Sequence, residues 1–224
     1  MVKQNKKIIM LNEVEAKRIL GQAGIPVIDT RLARTKQEAV SLSGEIGFPV
    51  VLKIVSPDVV HKSDAGGVKV GLANAAQVRK AYTEIITSIK EKVPGARIEG
   101  VSVQKMARPG VEVIIGMTED DQFGPVIMFG LGGIWVEAIR DVAFRVVPVS
   151  ARDADEMVHE IKGVAALRGY RGQEPIKISS LTKLITRISR FIEKNPQVKE
   201  LDINPLIASG DGVVAVDARI VMKS

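Results

Sequence analysis

The chain has 224 residues, 46% of them hydrophobic and 26% charged, ordinary proportions for a globular protein large enough to bury a full core. Zero cysteines exclude disulfides, thiolate metal sites and cysteine nucleophiles. The formal net charge of +6 is spread among acids rather than massed in one stripe, and aromatics are only 4%, so small polyanions such as nucleotides suit the chain better than nucleic acid.

The N-terminal stretch MVKQNKKIIMLNEVEAKRIL has neither an apolar h-region nor a small-residue cleavage site, and no run of eighteen apolar residues follows. A cytoplasmic protein without a membrane span is expected. Asn12, Glu13, Val14 and Glu15 read as a capping box, and Gly24 with Pro26 ends that helix. Thr35 to Glu38 repeats the signature, and Gly47 closes a second helix. Asn74 opens a third, with Val78, Ala81, Tyr82, Ile85, Ile86 and Ile89 on one stripe. Further helices are predicted over about 152–162 and 180–194. Strands are predicted over 49–55, 68–72, 101–106, 111–117, 125–129, 144–149, 200–207 and 213–220. Short turns between several of them favour antiparallel pairing, so the fold class is α+β rather than a doubly wound parallel sheet. One domain over 1–224 is expected, with approximate lobes 1–120 and 121–224.

Lys53 sits in PVVLKIVS among Val50, Val51, Leu52, Ile54 and Val55. An ammonium there either snorkels to water at the strand end or meets an anion, because burial without a partner is costly. The run HKSDAGGVKV follows, with His61, Lys62, Ser63, Gly66, Gly67 and Lys69. Glycines let backbone N–H groups approach a phosphate, and a plain hairpin turn explains a Gly-Gly pair as well. His61 is one of two histidines, and it is either a structural imidazole or a nucleophile at the mouth of a phosphate loop. His159 falls in an acid-rich helical stretch and reads as surface.

Gln104, Lys105, Met106 and Ala107 form a break between strands whose exposed backbone can read adenine, and Glu112 can accept from ribose hydroxyls. The glycine-rich FGPVIMFGLGGIWVEAIRDVAFR lacks G-x-G-x-x-G. Trp135 within it reads as packing, and Arg145 as a possible phosphate contact. In the C-terminal hairpin, Glu200, Asp202 and Asn204 alternate with Leu201 and Ile203, so the polar three share one face. A turn at Asp211 and Gly212, through two residues or through a four-residue loop 209–212, adds Asp217 and Arg219 to that face. A three-residue loop would reverse the parity. Carboxylates with an amide oxygen suit Mg²⁺. A solvated face balanced by Arg219 is the competing account.

Taken together, EAKRILGQAGIPV, GEIGFPVVLKIVSPDVVHKSDAGGVKV, QFGPVIMFGLGGIWVEAIRDVAFRVVPV, LRGYRG, ELDINPLI and VVAVDARI resemble an ATP-grasp domain, and more narrowly the β subunit of the ADP-forming acetyl-CoA synthetases. The resemblance implies two α+β lobes that hold ATP, and the reaction acyl-CoA + ADP + phosphate ⇌ acid + CoA + ATP. It implies phosphate contacts at Lys53, His61, Lys62, Ser63, Gly66 and Gly67, with a further candidate at Arg145. Adenosine contacts are implied at Gln104, Lys105, Met106, Ala107 and Glu112. Asn204 and Asp217 would ligate Mg²⁺, with Glu200 as a further candidate ligand and Asp202 close by in a catalytic role. His61 falls where this group carries a second phosphorylated histidine. An α subunit with the CoA-binding and CoA-ligase domains is the implied partner, in a heterotetramer. A stand-alone carboxylate ligase and a non-catalytic nucleotide-sensing subunit are the alternatives.

Overall fold

The computed structural model describes residues 8–59, 61–133, 140–169 and 175–223. Trp135 and, of the LRGYRG run, Tyr170, Arg171 and Gly172 lie outside them. The chain divides into two compact units. The smaller comprises residues 12–14 and 28–107, and the larger comprises the described residues of 1–11, 15–27 and 108–224.

In the smaller unit, strands β2 (Thr30–Ala33), β3 (Val50–Val55), β4 (Val68–Leu72) and β5 (Gly100–Lys105) form an antiparallel sheet in the order β2-β5-β3-β4. All six residues of β3 are buried, as an interior strand flanked by two partners requires. Helices α2 (Lys36–Ile46) and α3 (Ala75–Lys92) supply the rest of the core. Thr35 caps α2 by accepting from the Glu38 amide, and Asn74 caps α3 by accepting from the Gln77 amide. Val78, Ala81, Ile85 and Ile89 form the buried stripe of α3, with Tyr82 and Ile86 partly covered beside it. Gly47 ends α2 at φ +83°, a conformation that a side chain disfavours.

In the larger unit, β1 (Ile8–Leu11), β6 (Val111–Asp120), β7 (Gly124–Leu131), β8 (Val142–Val146), β9 (Val198–Ser209) and β11 (Arg219–Lys223) form a sheet in the order β1-β11-β9-β6-β7-β8, and β10 (Gly212–Ala215) also pairs with β9. Every pair is antiparallel. The core gathers residues of α1 (Glu13–Gln22), α4 (Ala151–Glu160), the short α5 (Val164–Leu167) and α6 (Ile178–Lys194) against one sheet face. Leu181, Leu184, Ile185, Ile188 and Ile192 give α6 the i, i+3, i+4 stripe that such packing needs. Ser150 opens α4 with a reciprocal capping box to Asp153.

Three expectations change. A single cut at residue 120 does not divide the units, because β6 pairs along its length with β7 and β9 and therefore groups with the C-terminal sheet. The chain passes from the smaller to the larger unit between Ala107 and Arg108. The strand expected over 213–220 is two strands, interrupted at 216–218. Two short strands, β1 and β2, carry too few residues for an alternation to register, and they are additional. No helix among the described residues is long and apolar enough to cross a membrane.

Candidate functional site

In the smaller unit, Lys53 enters the interior from the middle of the apolar β3. Its ammonium lies 2.9 Å from Oε1 of Glu13, and the Lys62 ammonium lies 3.0 Å from Oε2 of the same carboxylate. The Glu13 side chain is only 2% exposed, that of Lys53 8% and that of Lys62 24%. A buried ammonium with a carboxylate partner avoids the desolvation cost that an isolated one would carry. Of the two accounts drawn from sequence, the anion partner is the one formed, and the anion is a carboxylate of the chain itself. Nothing in the spacing of Glu13 and Lys53, forty positions apart, signals the pair.

The loop over 61–67 is a tight series of turns. The amide of Ala65 donates to His61 O (3.2 Å), that of Gly66 to Ser63 O (2.9 Å), and that of Gly67 to Lys62 O (2.7 Å). The expected cradle of glycine N–H groups is therefore not formed here, because those donors close the turn itself. The glycines have packing reasons. A Cβ on Gly67 would stand 2.6 Å from Ile54 Cγ2 and 2.9 Å from Lys62 O. One on Gly66, at φ +74°, would meet Ser88 Oγ at 2.5 Å. Gly67 O in turn accepts from the Ile54 amide at 2.7 Å, which ties the loop to β3 beside Lys53. His61 and Ser63 are exposed at the outer side of the turn. Lys69, the remaining cation of the motif, pairs with Glu84 at 2.7 Å.

The break after β5 differs from expectation in a similar way. Its backbone is partly committed: the Lys105 amide donates to Asp29 O, and the Met106 amide to Pro49 O at 3.1 Å. The Lys105 ammonium donates to Gly47 O (2.7 Å) and Phe48 O (3.0 Å). Gln104 is buried within the sheet, whereas Met106 is exposed and Ala107 half-buried.

In the larger unit, Glu112 is exposed near the start of β6, and its carbonyl accepts from the Gly132 amide at 2.8 Å. Arg145 is not a free cation. Its guanidinium reaches Glu160 at 2.8 Å and also donates to Phe144 O, so it ties β8 to α4. The face predicted for the C-terminal hairpin is formed. Glu200, Asp202 and Asn204 are exposed, and Leu201 and Ile203 are buried between them. Ala208 pairs with Val213, the register of the four-residue alternative, and Arg219 consequently stands opposite Asp202. The Asn204 amide donates to Asp217 O at 3.2 Å.

Asn204 and Pro205 occupy a bulge that the sequence did not reveal. Val113 pairs with Leu206 but Ile115 with Ile203, so β9 carries one residue more than β6 across this step. Burial accordingly shifts from Leu201 and Ile203 to Leu206 and Ala208. A bulge re-aims the side chain it carries, here Asn204 beside the two aspartates.

The Asp202 carboxyl is held above the usual carboxylate range, first by loss of hydration against its neighbours and then by the like charge of Asp217, with Arg219 opposing. Two carboxylates that repel one another beside an amide oxygen are a hard-donor set, and a divalent cation would relieve the repulsion. Glu200 does not join them. Among the described residues no group of three or more His, Asp or Glu side chains is gathered closely enough to hold a metal ion. Glu200 pairs with Val221, two positions and so about 7 Å further along the strand. Gly116, Thr118, Met128, Phe144, Glu200 and Asp202 line an open pocket of about 520 Å³ on the larger unit.

An ATP-grasp domain model matches residues 3–222, and the chain belongs to the ATP-grasp family. Within it, the chain falls among the β subunits of ADP-forming acetate–CoA ligases. It is 48% identical over 212 residues to the ADP-forming acetate–CoA ligase I subunit beta of Pyrococcus furiosus, covering 95% of this chain and 91% of that one. The acetyl-coenzyme A synthetase 1 of Ca. Korarchaeum cryptofilum, in complex with coenzyme A, Ca-AMPCP and HgCl⁺, superposes with a TM-score of 0.94 at 53% identity, covering 96% of this chain and 93% of that one. Another structure of that synthetase is in complex with coenzyme A and Mg-AMPPCP, with its phosphohistidine segment pointing towards the nucleotide binding site; it superposes with a TM-score of 0.84 at 50% identity, again over 96% and 93% of the two chains.

Proposed function

We propose that this chain is the nucleotide-handling β subunit of an ADP-forming acetyl- or acyl-CoA synthetase. With a partner α subunit it takes part in acyl-CoA + ADP + phosphate ⇌ acid + CoA + ATP. The observation that carries the reading is the near full-length identity to a chain that is itself one subunit of such a ligase. The same observation disfavours a stand-alone ligase, which would need its second substrate site on this chain.

The smaller unit supplies the phosphate contacts. Lys53 and Lys62 offer cationic hydrogen-bond donors that need no rearrangement of the turn, and Ser63 adds a hydroxyl. The Gly67 amide donates to Lys62 O and the Gly66 amide to Ser63 O, so both close the turn instead of binding phosphate themselves. Met106 presents an exposed side chain that adenine can pack on, next to Ala107, and Glu112 accepts from ribose hydroxyls. Asn204 and Asp217 hold Mg²⁺, with Asp202 beside them. Bound there, the ion would neutralise nucleotide phosphate oxygens.

His61 carries the relay. In the direction of ATP synthesis, the P–N bond to a histidine of the α subunit breaks as a P–N bond to the His61 imidazole forms. A terminal phosphate oxygen of ADP then attacks phosphorus, the His61 P–N bond breaks, and ATP leaves with the imidazole restored. Exposure of His61 on the turn fits this role, since both partners must approach in line. Acyl selectivity lies on the partner. The test is co-purification of the native α subunit and incubation with γ-labelled ATP, scoring acid-labile phosphate on each chain. Label on both supports the relay. Turnover by this chain alone would instead establish the stand-alone ligase.

A further inference from the structure

The Glu13 carboxylate is the feature that the proposed phosphate chemistry leaves unexplained. It opens α1, where the sequence reads it as part of a helix cap, yet both of its oxygens are directed at lysines 40 and 49 positions away. All three groups belong to the smaller unit.

We infer that Glu13 is a positioning residue for phosphoryl transfer: it holds Lys53 and Lys62 as a pair and tempers their combined grip on nucleotide phosphate. This rests on the reading of the two lysines as phosphate contacts. The physical reason is competition. An ammonium shared with Glu13 binds phosphate less tightly than a bare one, but it is held in one geometry, and geometry rather than ground-state affinity sets the rate of transfer. Removing the charge while keeping the shape releases both constraints together. Two lysines that no longer share a counter-ion attract an anion more strongly and repel one another out of position.

The test uses this chain co-expressed with its α subunit. Glu13→Gln is expected to lower kcat by about tenfold or more while the Kd for Mg-ADP, measured by calorimetry, stays level or falls. Glu13→Asp keeps the charge on a shorter arm, and it is expected to recover part of kcat. A merely structural Glu13 would show the opposite pattern, with Kd rising as kcat falls and no recovery in Glu13→Asp. That pattern, or an unchanged kcat in Glu13→Gln, overturns the inference. If Glu13→Gln does not fold, Glu13→Asp is read on its own: a lower kcat at level Kd supports the role, and parallel losses refute it. Lys53→Met separates the two levels. Wild-type Mg-ADP affinity and turnover in Lys53→Met would remove the phosphate reading itself. Loss in Lys53→Met with no effect in Glu13→Gln removes only the role of Glu13.

Discussion

Asp202 faces Arg219 across the antiparallel β9–β11 pair, yet its carboxyl is held above the ordinary carboxylate range because loss of hydration against its neighbours and the nearby Asp217 outweigh that cation. A raised carboxyl pKa in the folded chain means the ionised form is disfavoured there. Asp202 therefore costs stability when ionised in both folded and unfolded states. That cost is relieved as pH falls through the raised value towards the unfolded one, and it is absent below both.

From this follows a paired outcome. Without metal, Asp202→Asn should raise the melting temperature at neutral pH by about 1–3 °C, since it removes a like-charge contact. Asp217→Asn should do likewise, and it should also weaken Mg-ADP binding by about tenfold or more through loss of a ligand. In the wild type, magnesium affinity should decline as the pH is lowered through the Asp202 titration, because the proton and the cation compete for the pair. Calorimetric melting and a pH series of Mg-ADP titrations check both.

Replacement of His61 by Ala should abolish formation of ATP from acyl-CoA, ADP and phosphate in the assembled enzyme, while Mg-ADP still binds. The imidazole is exposed, so folding should be unaffected. Label from the α subunit should then accumulate there and not reach nucleotide. Full turnover in this variant would refute the relay.

Gly67→Ala and Gly66→Ala should destabilise by about 1–3 kcal/mol each whether or not nucleotide is present. The added methyl meets Ile54 and the Lys62 carbonyl in one case, and Ser88 with a positive φ in the other. Chemical denaturation with and without Mg-ADP distinguishes this from loss of a ligand contact, because only the latter would shrink the ligand-induced gain in stability.

Arg145→Ala should leave Mg-ADP affinity at the wild-type value, since its guanidinium is engaged by Glu160 on α4. A loss of stability of about 0.2–1 kcal/mol is expected for an ion pair of this exposure. A large rise in Kd would reinstate the phosphate contact first read from the sequence.

Local chemistry alone determined much of this protein. The caps at Thr35 and Asn74, the apolar stripe of α3, the all-apolar surroundings of Lys53 and the polar alternation through Glu200, Asp202 and Asn204 are short-range patterns, and each appears where its period placed it. Parity carried the C-terminal hairpin as well, because a period of two leaves a strand only two faces. Tertiary structure decided which groups spend their hydrogen bonds on one another. The meeting of Glu13 with Lys53 and Lys62, the tie from the Ile54 amide to Gly67 O, the capture of Arg145 by Glu160 and the grouping of β6 with the C-terminal sheet all depend on contacts between residues well apart in the chain. A sequence states which donors and acceptors a chain carries. Only the folded backbone, by bringing remote residues within about 3 Å, states which of them remain for a ligand.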